Sequence, residues 1–262
     1  MIQLAVAGGT GRLGSAIVSL AARDERFDVV AVLTGEGDPR LGEQIRVGAA
    51  DVVVADRLGI PAEVVIDAST PAGTMDWLKV AERLEVPFVT GVTGHDTHQV
   101  DRLREVARVI PVVKAANFSV GMYALIRAAA MLARQLGGDY DIEMIETHHR
   151  YKADAPSGSA LSILEAIRGA SELFAAGNVV HGREGRSPER PQGQIGVHSV
   201  RMGETVGRHE VHFSGFGETV SIVHDVQSRE PFAAGALNAA AWAIQQEPGL
   251  YSMEDVLRNG AP

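Results

Sequence analysis

The chain is 262 residues long and acidic, with 24 Lys and Arg against 33 Asp and Glu and a formal net charge of −9. Nucleic acids and anionic membrane surfaces attract basic proteins, so this charge argues against both as partners. The sequence contains no cysteine, which excludes disulfides, thiolate metal sites and a cysteine nucleophile. It shows neither an apolar run long enough to span a bilayer nor the pattern of a signal peptide, so we expect a cytoplasmic protein.

The chain opens with an alternation of strand, helix and strand. Residues 2–7 are apolar and predict a buried strand, residues 15–22 have apolar side chains at helical spacing, and residues 27–33 predict a second strand. The turn at 8–14, between the first strand and the helix, has a glycine at every third position. Such glycines permit a tight turn and allow a pyrophosphate to lie against the helix N-terminus. In this context the turn predicts a dinucleotide-binding site.

The end of the second strand is unusual for such a site. An Asp or Glu normally stands there and bonds the adenosine ribose, but this chain has Thr34 followed by Gly35. Thr34 can bond a ribose hydroxyl or a phosphate, and it does not repel a phosphate. Arg12 and Arg40 can supply positive charge nearby. The residues leave the choice between NADH and NADPH open, and we expect both to be accepted, with NADPH at least as good.

Strands and helices continue to alternate up to residue 117. Strands are predicted at residues 63–68, 86–90 and 109–113, and helices at residues 71–84 and 96–107. Short connections between such elements predict an α/β fold with a Rossmann-like, doubly wound parallel sheet. Ligands bind at the carboxyl ends of the strands in these sheets. The turns 8–14, 91–94 and 115–119 all follow strands, so one cofactor can contact all three.

The pattern changes after residue 117. The following strands are long and alternate polar with apolar residues, which is typical of a mixed or antiparallel sheet with one exposed face. A helix is predicted at residues 120–136, strands at 140–144, 194–202, 208–215 and 218–226, a mobile surface loop at 183–196 and a final helix at 232–245. We therefore predict a dinucleotide-binding domain of residues 1–117 with 229–262. A second, α+β domain of residues 118–228 is predicted to present the substrate loop.

The segment 148–159 places cationic and titratable side chains directly ahead of a helix start. Its main residues are His148, His149 and Lys152, then Pro156, which ends the preceding element, and the N-cap residue Ser157. The N–H groups of Gly158 and Ser159 at this helix start form an anion site. Together these features predict a pocket for a small anion with an imidazole that can move a proton. The alternative is a surface histidine pair beside an ordinary capped helix.

The chain resembles the bacterial 4-hydroxy-tetrahydrodipicolinate reductases, long called dihydrodipicolinate reductases, over essentially its whole length. The resemblance rests on residues 8–14, 91–94, 116–121, 148–159, 195–201 and 249–257, and the string H-H-x-x-K-x-D-A-P-S-G is its most specific part. It implies NAD(P)H-dependent reduction of 4-hydroxy-tetrahydrodipicolinate, a small cyclic dicarboxylate, to tetrahydrodipicolinate in diaminopimelate and lysine biosynthesis. It also implies a homotetramer built through the sheet of the second domain, which would make this domain both substrate-binding and oligomerising.

The resemblance implies roles for individual residues. His148 would be the proton donor or acceptor, and Lys152 would donate a proton or fix a substrate carboxylate. The residues implied to bind the substrate are His149, Ser157, Gly158 and Ser159. Those implied to bind the cofactor are Gly8, Gly9, Thr10, Gly11, Arg12, Leu13, Gly91, Val92, Thr93, Ala115, Ala116, Asn117 and Phe118, with Arg229 and Phe232 near it.

Two positions depart from the family pattern. Ser159 stands where the family usually has Thr, and because the hydroxyl is retained we expect substrate binding to be retained as well. Thr34 and Gly35 stand where many members carry an acidic residue followed by Arg. The second departure bears directly on which of the two nicotinamide cofactors the chain prefers.

Other functions fit parts of the sequence. Another nicotinamide-dependent reductase or an amino-acid dehydrogenase would share the two-domain plan, whereas a non-catalytic dinucleotide sensor would not need His148 and Lys152 beside an anion site. A zinc hydrolase is disfavoured, since adjacent histidines on an extended chain point to opposite sides and no third ligand is suitably spaced. No metal site is expected. Asp67 is interpreted as a strand-end residue. The remaining histidines are interpreted as solvated or structural, among them His95, His98, His181, His209 and His212.

Overall fold

The computed structural model describes residues 1–260 of the chain. Its strands are β1 (Ile2–Ala7), β2 (Phe27–Leu33), β3 (Gln44–Val47), β4 (Ala50–Ala55), β5 (Val64–Asp67), β6 (Phe88–Thr90), β7 (Pro111–Lys114), β8 (Asp141–His148), β9 (Val179–Val180), β10 (Ile195–Arg201), β11 (Gly207–Gly215), β12 (Glu218–Val226) and β13 (Gly249–Tyr251). Its α-helices are α1 (Arg12–Ala21), α2 (Pro71–Leu84), α3 (Thr97–Val106), α4 (Val120–Leu136), α5 (Gly158–Arg168), α6 (Glu172–Ala176), α7 (Glu230–Ala243) and α8 (Met253–Gly260).

The chain divides into two compact units. The first contains residues 1–120 and the chain from Arg229 onward, and the second contains residues 121–228. The boundary predicted between residues 117 and 118 falls in the turn between β7 and α4, whereas the units divide within the first turn of α4. Among residues 1–260, no helix combines the length and apolar character needed to cross a membrane.

The first unit is built on an eight-stranded sheet in the order β13-β7-β6-β5-β1-β2-β4-β3. Every neighbouring pair is parallel except β3 with β4. Leu4 and Val6 of β1 pack in one core with α1 and α7, while Ala5 and Ala7 pack on the opposite face with α2 and α3. Because both faces of β1 are covered, its residues are almost continuously apolar. The predicted doubly wound, Rossmann-like sheet is confirmed.

The second unit contains a five-stranded mixed sheet in the order β12-β11-β8-β10-β9. β8 pairs in parallel with β10 and antiparallel with β11. Along β8 the even-numbered residues are buried: Ile142 and Met144 contribute to an apolar core with α4 and α5, and Glu146 and His148 continue the same face. The buried row of β8 therefore changes from apolar to ionisable toward its carboxyl end. The predicted mixed sheet is confirmed.

Several short elements have no counterpart among the predicted ones. β3 and β4 form an antiparallel hairpin that turns at Gly48, which has a φ of +59°. β4 joins the sheet through two residue pairs with β2, Val32–Val54 and Leu33–Ala55. The five-residue helix α6 and the two-residue strand β9 are also unpredicted. Elements as short as α6 and β9 display too few periods of apolar spacing to be recognised locally.

The loop before β10, which is predicted to be mobile, is held by one arginine. The Arg190 side chain is 17 % exposed. Its Nη2 donates to the carbonyl oxygens of Ile142, at 2.8 Å, and Gln194, at 2.5 Å. A guanidinium has five N–H donors, so a single side chain can tie this loop to both β8 and the residue that precedes β10.

Candidate active site

The glycine-rich turn brings the end of β1 and the start of α1 into close backbone contact. Gly8 has a φ of +68°, and a Cβ there would lie 2.6 Å from the carbonyl carbon of Ala68. A Cβ on Gly14 would lie 2.0 Å from the carbonyl oxygen of Gly8. No side chain fits at either position, so the tight turn depends on glycine. This is the close strand-to-helix packing that a dinucleotide-binding turn requires.

The N-terminus of α1 is left open to an external anion. Its N-cap residue is Gly11, which offers no side-chain oxygen to the first-turn N–H groups. In the same unit, Thr70 caps α2 by accepting from the Gly73 N–H, and Asp96 caps α3. An uncapped helix start combines unsatisfied N–H donors with the positive end of the helix dipole. The turn therefore fits a cofactor pyrophosphate.

Two arginines add positive charge at this helix start. Arg12 is the first residue of α1, and Arg229 is the N-cap residue of α7, which packs with α1 in the core of the first unit. Burial, together with the charge of Arg12, lowers the pKa of the Arg229 guanidinium. Arg229 thus lies within electrostatic reach of the glycine-rich turn, at a position that the resemblance associates with the cofactor.

The three predicted cofactor turns lie along one edge of the sheet. They follow β1, β6 and β7, which are linked in parallel through β5. A Cβ on Gly91 would lie 2.6 Å from the Phe118 ring, which is itself buried in the core. Phe118 therefore packs against the neighbouring turn, while Thr93 and Ala116 are exposed at the same edge. The structure brings the predicted residues of the first unit together.

Thr34 lies beside the glycine-rich turn with its side chain covered. It is 4 % exposed. Its hydroxyl lies 3.2 Å from the hydroxyl of Thr10 in the turn, and it donates a short hydrogen bond to the carboxylate of Asp38. Thr34 and Thr10 thus hold an acidic side chain against the turn, a contact that the sequence pattern did not reveal.

In the second unit, His148 is held by a buried carboxylate. Glu146 is fully buried and lies on the same face of β8 as His148, two residues earlier. Its Oε2 lies 2.5 Å from His148 Nδ1. A cross-strand partner, Arg201 of β10, donates to both carboxylate oxygens at 2.9 and 2.8 Å. Burial alone would raise the pKa of Glu146, but the hydrogen bonds from His148 and Arg201 hold it far below its usual range.

The ionised Glu146 determines which nitrogen of His148 is available for chemistry. Because the carboxylate accepts at Nδ1, that nitrogen carries a proton, and exchange with a substrate falls to Nε2. A Cβ added to Gly207 would lie 3.2 Å from Nε2. A side chain at position 207 would therefore crowd this nitrogen, and the glycine in the neighbouring strand leaves room beside it.

The start of α5 is tied to the same cluster. The Ser157 N–H donates to Glu146 Oε1 at 3.2 Å, and the Ser157 hydroxyl accepts from the Ala160 N–H as the N-cap. The hydroxyl also lies 3.2 Å from Nε2 of the buried His209. Burial and the nearby His148 lower the pKa of His209 to about 3. His209 is therefore neutral, and its ring packs edge-on against His148 at 5.1 Å.

The connection between β8 and α5 carries the remaining predicted residues. Lys152 Nζ pairs with Asp154 Oδ1 at 2.8 Å. Partial burial alone would raise the pKa of the Asp154 carboxyl, but the Lys152 ammonium lowers it. The Lys152 N–H donates to the His149 carbonyl, and the half-buried His149 ring lies 6.1 Å from that of Tyr151. Gly158 opens α5, and among residues 1–260 no heavy atom outside its chain neighbours and the backbone of its own helix lies within 4 Å of a Cβ added there.

Sequence reasoning missed three members of this cluster. Glu146 carries a recognisable signal, because residues two apart on a strand share a face. Arg201 and His209 carry none, since they reach Glu146 only through the pairing of β8 with β10 and β11. His209 belongs to the set interpreted as solvated or structural, and the structure buries it beside His148. Within residues 1–260, no three His, Cys, Asp or Glu residues are grouped so that they could hold a metal ion.

One unit of this chain is Rossmann-like and has an open glycine-rich turn, and the other is an α+β unit that carries an imidazole and carboxylate pair. These two features define a two-domain nicotinamide-dependent oxidoreductase. The family models of dihydrodipicolinate reductase match both parts, the N-terminus at residues 2–118 and the C-terminus at residues 121–257. The chain belongs to the dihydrodipicolinate reductase family. The recognition made from sequence is confirmed.

Curated relatives match over nearly the full length. The chain is 40 % identical over 261 residues to the 4-hydroxy-tetrahydrodipicolinate reductase of Rubrobacter xylanophilus and 36 % identical over 266 residues to that of Syntrophus aciditrophicus. Each alignment covers 98 % of both chains. A solved structure of dipicolinate-bound dihydrodipicolinate reductase from Paenisporosarcina sp. TG-14 superposes with a TM-score of 0.76 at 25 % identity, covering 100 % of both chains.

More distant structures share the fold alone. An amine dehydrogenase from Mycobacterium smegmatis superposes with a TM-score of 0.63 at 12 % identity, covering 97 % of this chain and 95 % of that one. The two-domain plan therefore serves different reactions, and the assignment of substrate has to come from the residues of the site.

Proposed function

We propose that this chain reduces 4-hydroxy-tetrahydrodipicolinate to tetrahydrodipicolinate in diaminopimelate and lysine biosynthesis, with its own His148 as the acid. The observation that carries the proposal is the buried cluster of Glu146, His148 and Arg201 at the start of α5, in a chain that matches curated reductases along its whole length. The reaction consumes one hydride and one proton and releases the substrate hydroxyl as water. A bound nicotinamide supplies the hydride.

The cofactor would be held by the first unit. The glycine-rich turn and the uncapped start of α1 suit the pyrophosphate, with Arg12 and Arg229 adding positive charge. The turns after β6 and β7 would contact the remainder of the cofactor from the same edge of the sheet. These contacts are common to NADH and NADPH, so they do not distinguish the two.

The proton would be delivered by the Nε2 of His148. Glu146 orients the ring through Nδ1, while Arg201 keeps Glu146 ionised. Neutral His209 fills the space beside the ring without adding a competing charge. A positioned imidazole of this kind contributes about 10²–10⁴-fold to a proton-transfer step.

The substrate carboxylates would be bound by Lys152 and the start of α5. The relative from Paenisporosarcina holds dipicolinate, a planar ring with two carboxylates. In this chain the first turn of α5, at Gly158 and Ser159, offers backbone donors and the positive end of a dipole. His149 is half-buried in the connection that leads to α5. Lys152 would exchange the exposed Asp154 carboxylate for one from the substrate. Neutralising the substrate in this way removes charge that repels hydride.

The activity is tested by supplying the condensation product of pyruvate and aspartate semialdehyde and following the nicotinamide absorbance. We expect turnover with this substrate and none with amino acids and oxidised cofactor, the reaction of a dehydrogenase with the same fold. Activity only toward an amino acid would overturn the proposal.

We also propose that the chain forms a homotetramer, as the family resemblance implies. Sedimentation velocity at micromolar concentration tests this. A monomer would count against it.

Lys152→Ala examines the substrate site directly. We expect the KM for the dicarboxylate to rise about 10- to 100-fold, since a charge-assisted hydrogen bond contributes about 1.5–3 kcal/mol, and we expect turnover to fall as well. Lys79→Ala is the matched control, because Lys79 is exposed on α2 and pairs only with Asp76 among the described residues. An unchanged KM in Lys152→Ala would place the carboxylates elsewhere.

A further inference from the structure

The loop after β2 supplies an acidic side chain where the strand end lacks one. Asp38 follows β2 by five residues, and Gly37 before it has a φ of +91°, which allows the chain to turn back. The Asp38 N–H donates to the carbonyl of Gly35 at 3.2 Å, which closes the turn. The carboxylate is thereby returned to the glycine-rich turn and the end of β2.

Three hydrogen bonds hold the Asp38 carboxylate in place. Its Oδ2 accepts from the Thr34 hydroxyl and, at 2.8 Å, from the Thr10 hydroxyl inside the glycine-rich turn. Its Oδ1 accepts from the Arg40 N–H at 2.8 Å. The Thr34 hydrogen bond, with those from Arg40 and Thr10, lowers the pKa of Asp38. The group is therefore a preorganised anion beside the turn.

The nearby arginine does not neutralise this carboxylate. The Arg40 guanidinium is directed to Glu43, with Nε at 2.6 Å and Nη2 at 3.3 Å from the two carboxylate oxygens. Only the backbone of Arg40 contacts Asp38 among the described hydrogen bonds. Arg12 is the first residue of α1, at the helix start proposed to hold the pyrophosphate that both cofactors share. The charge next to the Thr10 and Thr34 pair is thus negative.

We propose that Asp38 is the residue that selects the cofactor, that it bonds the hydroxyls of the adenosine ribose, and that the chain consequently prefers NADH to NADPH. The inference rests on the proposed cofactor site in the first unit. A ribose-binding carboxylate accepts from the 2′- and 3′-hydroxyls and repels a 2′-phosphate, which carries about two negative charges. It reverses the order of preference that Thr34 alone led us to expect. Thr34 acts by positioning Asp38.

Equilibrium binding of each dinucleotide, measured by isothermal titration calorimetry without substrate, tests the proposal. We expect NADH to bind at least tenfold more tightly than NADPH to the wild-type chain. Asp38→Asn should reduce this ratio at least fivefold, by weakening NADH and strengthening NADPH. Glu36→Gln removes a charge from an exposed position of the same loop, and we expect it to retain the preference. Thermal unfolding of each variant confirms that it is folded.

A matched pair at position 34 tests the positioning role. Thr34→Ser keeps the hydroxyl and should keep the selectivity, whereas Thr34→Val removes the donor and should lose part of it. Equal affinity of the wild type for both cofactors, or unchanged selectivity in a folded Asp38→Asn, would overturn the proposal. Binding of neither dinucleotide to the wild type would instead overturn the cofactor site itself, and the selectivity with it.

Discussion

Asp67 in the first unit and Glu146 in the second are both carboxylates with no exposed surface. Each lies near the end of a strand and organises the chain that leads into a helix. Asp67 accepts from the Ser69 N–H at 3.0 Å and from the hydroxyls of Thr74 and Thr90 at 2.6 and 2.9 Å. Glu146 accepts from an imidazole, a guanidinium and one backbone N–H, and a side-chain hydrogen bond from Ser199 also lowers its pKa. Their burial is equal, but the hydrogen bonds described for Asp67 come from neutral groups, whereas those of Glu146 include a guanidinium and an imidazole.

The difference indicates what each carboxylate does. A hydroxyl can donate or accept, so the partners of Asp67 can rearrange when the acceptor changes. Arginine has donors alone and carries a fixed charge, so Glu146 has no substitute that satisfies Arg201. Asp67 holds a turn, in agreement with its interpretation as a strand-end residue. Glu146 holds a titratable group in one orientation, which is a requirement of proton transfer.

The largest effect should come from the group that Glu146 orients. We expect His148→Gln to lower kcat by about 10²–10⁴-fold with little change in substrate KM, as the loss of a positioned acid does. Steady-state kinetics measure this, with His212→Gln as the control, since His212 lies on β11 and bonds the Ser221 hydroxyl. Turnover near that of the wild type would mean that Lys152 or water, and not His148, supplies the proton.

Glu146→Gln should destabilise the protein by about 3–5 kcal/mol, because it leaves the Arg201 charge without its partner. Urea unfolding measures this loss. The double variant Glu146→Gln with Arg201→Met should recover part of the stability, since it removes the unpaired charge as well. If the double variant were no more stable than the single one, the loss would have to come from packing, and the comparison with Asp67 would lose its basis.

Acid should destabilise the second unit through His209. The pKa of His209 is about 3 in the folded chain against 6.5 as its ordinary value. The unfolded chain therefore binds the extra proton, and stability falls as pH falls from about 6.5 toward 3. The slope rises from about half of its limit between pH 7 and 6 toward the limit of about 1.4 kcal/mol per pH unit for one proton below pH 6. Glu146, whose pKa is also lowered, adds to the loss below about pH 4.5. Urea unfolding at pH 7, 6 and 5 should show this slope, and His209→Gln should flatten it.

Asp67→Asn should have the smallest effect, about 1 kcal/mol. The Asn carbonyl can still accept from Ser69, and the Thr74 hydroxyl, which already lies 3.0 Å from the carbonyl oxygen of Thr70, can turn to accept from the new amide. The variant should keep the wild-type dependence of turnover on pH. A loss of stability as large as that of Glu146→Gln would show that the type of partner does not matter.

Features fixed by local hydrogen bonds were accessible from the sequence. Helix α2 begins at Pro71 as predicted, with Thr70 as its N-cap, and α5 begins directly after its predicted cap, Ser157. These signals lie within a few residues of the structure that they determine. The glycine-rich turn is equally local where the carbonyl oxygen of Gly8 leaves no room for a Cβ on Gly14.

The sequence by itself determined the two-part architecture, the dinucleotide-binding turn and the presence of His148 beside a helix start, because each is written in apolar periodicity, glycines and caps over short spans. Tertiary structure alone decided what surrounds them. Arg201 reaches Glu146 through the register of β10 with β8, across 55 residues of chain. Asp38 contacts Thr10, which lies 28 residues earlier in the chain, because the short loop after β2 folds back. No local preference encodes such contacts, since they depend on which strands pair and in which register.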